Sequence, residues 1–276
     1  MNAIVYSVYV EGADLCDNYN FEQFKTSYKT LRKFNKELPV KVYLCAPSAT
    51  DIDQIYSYND DNLEFILFNL SIDERLTGGI YARWTGHKWP NTIAALKTFD
   101  FDNVLYIDTD TFFQKDPAYL FDKYGYTDSI IGKEEGQDKW TKKFNHPYLG
   151  MNDGQQLVSK LCLPYLKDLI QYRDDAVYKL QEENKDNPDK EFNIAIQYVY
   201  GQYAVSDFLL SINKPLKQFD NSDVMVISYP DRFFSMGDAK DDICLLHYFN
   251  TNMAIFDPAA YEVYRINNLS GSRKKR

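Results

Sequence analysis

The chain predicts an α/β fold, a mostly parallel mixed sheet flanked by helices in a single domain, and three observations carry that expectation. Over the first hundred residues, short β-branched and aromatic runs alternate with segments of helical spacing, the order expected of βαβ units. An apolar run, Val104 to Ile107, ends in Asp108-Thr109-Asp110, and open α/β sheets keep their ligand crevice beyond the carboxyl ends of strands. A chain of 276 residues that is 45% hydrophobic and 16% aromatic suits a large compact core and not a disordered segment.

Ile4 to Val10 reads as the first strand, Val40 to Leu44 as the second and Leu63 to Leu70 as the third. Phe21 to Phe34 has helical spacing, with Leu31 and Phe34 on one face. Pro90 stands in the first turn of a helix that leads to the 104–107 strand. Gly154 to Tyr172 and Tyr198 to Ile212 read as helices, and the charged run from Arg173 to Lys190 between them as an exposed helix end and loop. No repeat and no Pro-, Gly- or Ser-rich linker divides the chain, which predicts one domain over residues 1–269 and a flexible basic tail over 270–276.

Forty acidic against 31 basic residues give a formal charge of -9, which disfavours a nucleic-acid partner. No stretch reaches the ~20 apolar residues of a membrane span, and the first residues lack a signal-peptide pattern, so a soluble, cytoplasmic protein is expected. The four cysteines lie far apart without a C-x-x-C pair, which argues for small core residues and against zinc or a disulfide framework. A homo-oligomer is compatible with all of this.

Asp108 and Asp110, spaced i, i+2 at a strand end, leave the strand on the same side. Two hard oxygen donors there suit Mn²⁺ or Mg²⁺, with positions left for substrate phosphates. The competing reading is an Asp-rich turn in which Asp110 caps the next element. Arg83 and Lys88 precede the Trp89-Pro90 helix start, where a cation beside backbone N–H groups can hold a phosphate, or both are solvated surface residues.

Several segments taken in order resemble one family. Val104-Leu105-Tyr106-Ile107-Asp108-Thr109-Asp110 is similar to the Asp-x-Asp strand of glycosyltransferase family 8, the glycogenin and bacterial galactosyltransferase family. Tyr148-Leu149-Gly150-Met151-Asn152-Asp153-Gly154 resembles its donor-sugar segment, and Gly201-Gln202-Tyr203-Ala204 its Asp-Gln-Asp segment. Ile243-Cys244-Leu245-Leu246-His247-Tyr248 resembles its late strand ending in a metal-binding histidine. Two positions depart from the pattern: Gly201 replaces the first aspartate of the Asp-Gln-Asp segment, and Met253 stands where the family has a phosphate-binding lysine.

The resemblance implies a GT-A-type fold and a metal-dependent hexosyltransferase that takes a nucleotide-sugar donor, a UDP-hexose in that family's usage, with retention of anomeric configuration and an unknown saccharide, protein or lipid acceptor. It implies Asp108, Asp110 and His247 as metal ligands for Mn²⁺ or Mg²⁺, and Gln202 and Asp153 as catalytic residues. Tyr6, Arg83, Lys88, Asp108, Thr109, Asn152 and Gly154 complete the donor-binding set. An inactive nucleotide- or glycan-binding relative is the alternative. An Asp-x-Asp phosphatase is a weaker one, since that class expects threonine or valine where this chain has Phe112.

Overall fold

A computed structural model describes residues 1–10, 18–45, 60–68, 73–76, 86–134, 142–145, 150–227 and 243–248, with single residues at 55, 58, 79 and 81. In chain order the elements are β1 (Asn2–Tyr9), α1 (Tyr19–Phe34), β2 (Val40–Cys45), β3 (Leu63–Phe68), α2 (Lys88–Thr98), β4 (Asn103–Ile107), β5 (Thr111–Phe113), α3 (Ala118–Tyr124), β6 (Ile131–Glu134) and β7 (Met151–Ser159). There follow α4 (Leu163–Glu183), α5 (Lys190–Ala195), a π turn (Ile196–Tyr200), α6 (Gly201–Ser211), β8 (Lys217–Gln218), β9 (Val224–Ile227) and β10 (Leu245–Tyr248). The main sheet is mixed and mostly parallel, in the order β3-β2-β1-β4-β7-β6-β8, and a smaller sheet runs β5-β10-β9. The α/β architecture expected from the alternating runs is therefore present.

Contacts gather the chain into two compact units, one of residues 1–5, 68–106 and 124–218, the other of 6–67, 107–123 and 219–276. In the second unit, α1 starts at Asn18, whose side chain accepts from Phe21 N at 3.0 Å and satisfies one of the orphan donors of the first turn. Its aromatic face, Phe21, Phe24 and Tyr28, packs with Tyr58 and Phe65, and Phe24 meets Tyr6 edge-on at 5.1 Å. Leu31 is buried as expected, whereas Phe34 is 43% exposed because the helix ends there and its last turn leaves the core. Arg32 ties that end down: Nε donates to Asp60 Oδ2 at 2.6 Å, and Nη1 donates to the carbonyls of Leu38 at 3.0 Å and Asn35 at 3.2 Å. The same guanidinium lies over the Tyr28 ring, 5.0 Å from its centroid.

In the first unit, α4 packs along α6 and against α2. Leu76, Tyr81, Val177, Phe192 and Ile196 form a buried cluster. Two expectations fail here. Residues 154–159, read as the start of a helix, belong to strand β7, and α4 begins only at Leu163. The reason is position: β7 lies between β4 and β6 and is buried throughout, so it lacks the alternation that marks a half-exposed strand. Residues 173–183, read as exposed, continue α4 and turn Arg173, Asp174 and Val177 inward.

Among the described residues no helix is long and apolar enough to cross a membrane. Cys45, Cys162 and Cys244 are buried thiols, as expected of core residues. The tail at 270–276 lies outside the described residues.

Arg32→Leu should destabilise the fold by about 2–4 kcal/mol in denaturant titration, because it strips a carboxylate and several carbonyls of a charged donor. Arg32→Lys should recover only part, since an ammonium cannot reproduce the fork. Burial raises the Asp60 pKa, and the bonds from Tyr28, Asn62 and Arg32 outweigh it, leaving it below the ordinary 3.8. A depressed carboxylate contributes stability above its unfolded pKa and loses it as the pH falls through the folded one, so the gap between wild type and Arg32→Leu should narrow below about pH 4.

Candidate functional site

Strand β4 ends at Ile107, and Asp108 to Thr111 close a tight turn in which Thr111 N donates to Asp108 O at 3.1 Å. The two aspartates therefore occupy the first and third positions of a turn. They are not successive same-side positions of a strand, as expected from their spacing alone. Asp and Thr are turn formers, so the strand stops where they begin. Both carboxylates are half-buried, while Thr109 and Thr111 are buried. Thr111 opens β5, which pairs antiparallel with β10 and sets His247 directly opposite Thr111. The backbone register thus brings His247 to a position beside the aspartate turn, cross-strand partners being about 4.5–5.5 Å apart.

Among the described residues no ready-made group of three or more His, Cys, Asp or Glu gathers around a metal position. Two carboxylates on one turn nonetheless fit an ion such as Mg²⁺ or Mn²⁺, which is commonly held by one or two carboxylates and completes its shell with water and phosphate oxygens. Tyr6 is fully buried, with Oη 2.9 Å from Ser27 Oγ, and burial pushes its phenol well above the usual range. Its described contacts are thus with α1. Thr109 Oγ1 donates to Gln23 Oε1 at 3.0 Å.

In the other unit, Lys88, Asp153 and Gln202 meet. Lys88 Nζ lies 3.0 Å from Asp153 Oδ1, and Gln202 Nε2 donates to the same oxygen at 3.2 Å. All three are buried, at 4%, 5% and 2% exposure, so neither a solvated surface lysine nor an ordinary exposed helix glutamine describes them. A bulge aims Asp153. Ile131 pairs with Leu157 but Lys133 with Asn152, so two steps along β6 span five along β7, and residues 153–156 are left out of the ladder with β6. Gly154 N closes back on Asn152 Oδ1 at 2.9 Å inside that bulge. Asn152 itself is buried.

Gln202 sits in the first turn of α6, directly after the π turn, a feature often found beside functional residues. Gly150 lets this helix start close in: a Cβ there would stand 2.5 Å from Tyr203 Cδ1, an impossible distance for a real contact. Behind these residues lies a charged pair that the sequence did not announce. Arg173 Nη2 is 2.9 Å from Asp174 Oδ1, Tyr81 Oη also donates to that carboxylate, and the guanidinium lies 5.3 Å from the Tyr81 ring centroid. Burial opposes the Arg173 charge, but Tyr81 and Asp174, with Asp153 farther away, outweigh it and hold its pKa above the ordinary guanidinium value. Arg173 and Asp174 were hidden within a polar run whose helical phase, Leu166, Leu169, Arg173, Val177, was the one available signal.

The structure therefore gathers Lys88, Asp153 and Gln202, with Asn152 and Gly154 in the adjoining bulge. It separately orders Asp108, Thr109 and Asp110 in one turn with His247 in register. Arg83, Tyr148, Leu149 and Met253 lie outside the described residues.

Residues 12–131 match the family model described as "Mannosyltransferase putative". No curated protein matches the sequence. Among solved structures, the galactosyltransferase LgtC with donor and acceptor sugar analogues is similar at 16% identity and a TM-score of 0.54, over 99% of this chain and 96% of LgtC. An active-site glutamine-to-glutamate mutant of LgtC is similar at 17% identity and a TM-score of 0.53, with the same coverage of both chains. The glycosyltransferase GlyE of Streptococcus pneumoniae TIGR4 is similar at 14% identity and a TM-score of 0.55, over 92% of this chain, which spans 56% of GlyE. These likenesses show that the chain has the GT-A glycosyltransferase fold.

Lys88→Met should cost about 3–5 kcal/mol of stability, because it leaves the buried Asp153 carboxyl without its cation, to be held charged or neutralised at a cost either way. Lys88→Met/Asp153→Asn should regain part of that loss, as it removes the stranded carboxyl; urea unfolding of both variants checks this. Gly150→Ala should cost about 1–3 kcal/mol by forcing the Tyr203 ring aside. Gly201→Ala, whose Cβ would meet nothing nearer than Val177 Cγ2 at 3.7 Å, should be neutral or stabilising in the same melts.

Proposed function

We propose that the chain is a metal-dependent glycosyltransferase of the family 8 type, which moves a hexose from a UDP-sugar to an acceptor with retention of configuration. The observation that carries this reading is the buried Gln202 with its amide held in one orientation. Its Nε2 is committed to Asp153 Oδ1, so its carbonyl oxygen points away from that carboxylate. A fixed carbonyl dipole stabilises positive charge as it develops on an oxocarbenium-like carbon, and it needs no reorganisation to do so. The match of residues 12–131 to a mannosyltransferase model and the active-site glutamine of LgtC support the reading.

Asp153 serves this arrangement as an anchor. Its Oδ1 is shared by Lys88 and Gln202, and the ion pair and hydrogen bond on that oxygen lower its nucleophilicity. The reaction then proceeds without a covalent glycosyl-enzyme, and the leaving phosphate takes the acceptor proton on the same face. Lys88 neutralises Asp153, so the glutamine dipole acts in a region without net charge. This differs from the sequence expectation of Lys88 as a phosphate-binding cation.

Asp108 and Asp110, with His247 from β10, would hold the metal. A divalent ion held there would supply positive charge to a departing diphosphate. Both aspartates of the turn are half-buried, with Asp110 Oδ1 itself buried. Gln23 and Tyr6 act on this turn from beneath, through Thr109 and Ser27.

The test is nucleotide-sugar hydrolysis and transfer with UDP-hexoses in Mn²⁺, with Gln202→Ala as the variant. Turnover should fall more than tenfold, over ~1.4 kcal/mol of transition-state stabilisation, with donor affinity little changed. An equal loss of donor affinity makes Gln202 a ground-state contact, and wild-type turnover removes it from the site. Nucleotide-sugar binding without turnover in the wild type would favour the inactive binding protein.

A further inference from the structure

Helix α1 has a second buried face that its aromatic packing does not use. At 3.6 residues per turn, Gln23, Ser27 and Thr30 (i, i+4, i+7) fall within about 60° of one another, beside the arc that carries Phe21, Phe24, Tyr28 and Leu31. They are buried to 5%, 0% and 1% exposure. A row of buried polar side chains is costly unless each is matched by a partner. Here each partner lies in the segment after β4.

Gln23 Oε1 accepts from Thr109 Oγ1 at 3.0 Å, Ser27 Oγ donates to Thr111 O, and Thr30 Oγ1 accepts from Phe113 N at 3.0 Å. Thr30 Oγ1 donates in turn to Ser27 O at 2.6 Å. A serine hydroxyl has one proton. With that proton given to Thr111, the contact between Tyr6 Oη and Ser27 Oγ runs from phenol to serine, and burial keeps the phenol protonated for it. The clasp takes every second residue from Thr109 to Phe113, one side-chain and two main-chain groups. Asp110 falls between the first two clasped positions, and Asp108 immediately precedes the first.

Apolar packing would hold this turn by volume; hydrogen bonds hold it by direction, which is what a ligand turn requires. We infer that Gln23, Ser27 and Thr30 are positioning residues, which fix the Asp108–Thr111 turn in the geometry in which its carboxylates take a divalent cation. The inference rests on the proposed metal role of that turn. Second-layer partners of metal ligands typically govern affinity by ten- to a hundredfold.

The experiment titrates Mn²⁺ in the presence of UDP into the full chain, following free Mn²⁺ by electron paramagnetic resonance well below the melting temperature. Ser27→Ala and the isosteric Thr30→Val should each weaken Mn²⁺ binding by about tenfold or more, whereas Ser27→Thr, which keeps the hydroxyl, should stay near wild type. Far-UV circular dichroism and melting curves record stability separately, and a merely structural residue would shift the melt without shifting Mn²⁺ affinity. Two variants guard against one failing to fold. Wild-type Mn²⁺ affinity in both, with loss in Asp110→Ala, would overturn the positioning role alone. Undiminished binding in Asp110→Ala would instead sink the metal reading of the turn, and this inference with it.

Discussion

A buried carboxylate must be matched or it does not stay charged, and the Asp153 carboxylate organises the unit that contains it. Removing such a charge from water costs several kcal/mol, so the fold has to deliver a cation and a neutral donor to one oxygen. Lys88 and Gln202 are those partners, and they come from helix starts more than a hundred residues apart in sequence. Lys88 is also an awkward choice by local rules, because a cation at a helix N-terminus opposes the helix dipole. Its counter-ion therefore has to come from tertiary structure. The bulge in β7 aims the carboxylate, and the bare Gly150 lets the start of α6 approach closely enough for Gln202 to reach it.

The second unit solves a related problem with neutral groups. Helix α1 is read at first sight as an amphipathic helix with an aromatic core face. Gln23, Ser27 and Thr30 beside that face are buried as well, and they are bonded by the segment after β4. Dispersion and area burial stabilise the aromatic face, while directional bonds specify the turn beside it. Stability and geometry are thus divided between two faces of one helix. The antiparallel β5–β10 pairing adds a further constraint by fixing the register of His247.

Much of the architecture was legible in the chain. β1, α1, β2, β3, α2 and β4 were marked by β-branched runs, helical spacing and Pro90, because these elements are amphipathic or bounded by strong breakers. β7 was misread because it is buried on both faces and rich in Asn, Asp and Gln, a composition that local pattern assigns elsewhere. Arg173 and Asp174 were read as solvated because charged residues usually are; their mutual pairing and Tyr81 make burial tolerable. The candidate residues Asp108, Asp110, Asp153, Gln202 and Lys88 were all visible as residues, but their relationships were not.

The sequence by itself determined the fold class, the positions of most first-half elements and the collinear motif order, since these depend on local propensity and hydrophobic period. It also placed two aspartates at the end of β4. Only the tertiary structure decided that those aspartates ride on a turn clasped by α1, that Lys88 is the partner of Asp153, and that Gln202 is pinned by the same oxygen. Hydrogen bonds and ion pairs act over about three ångströms between groups that can be a hundred residues apart along the chain, and no local pattern records which distant donor will meet which acceptor.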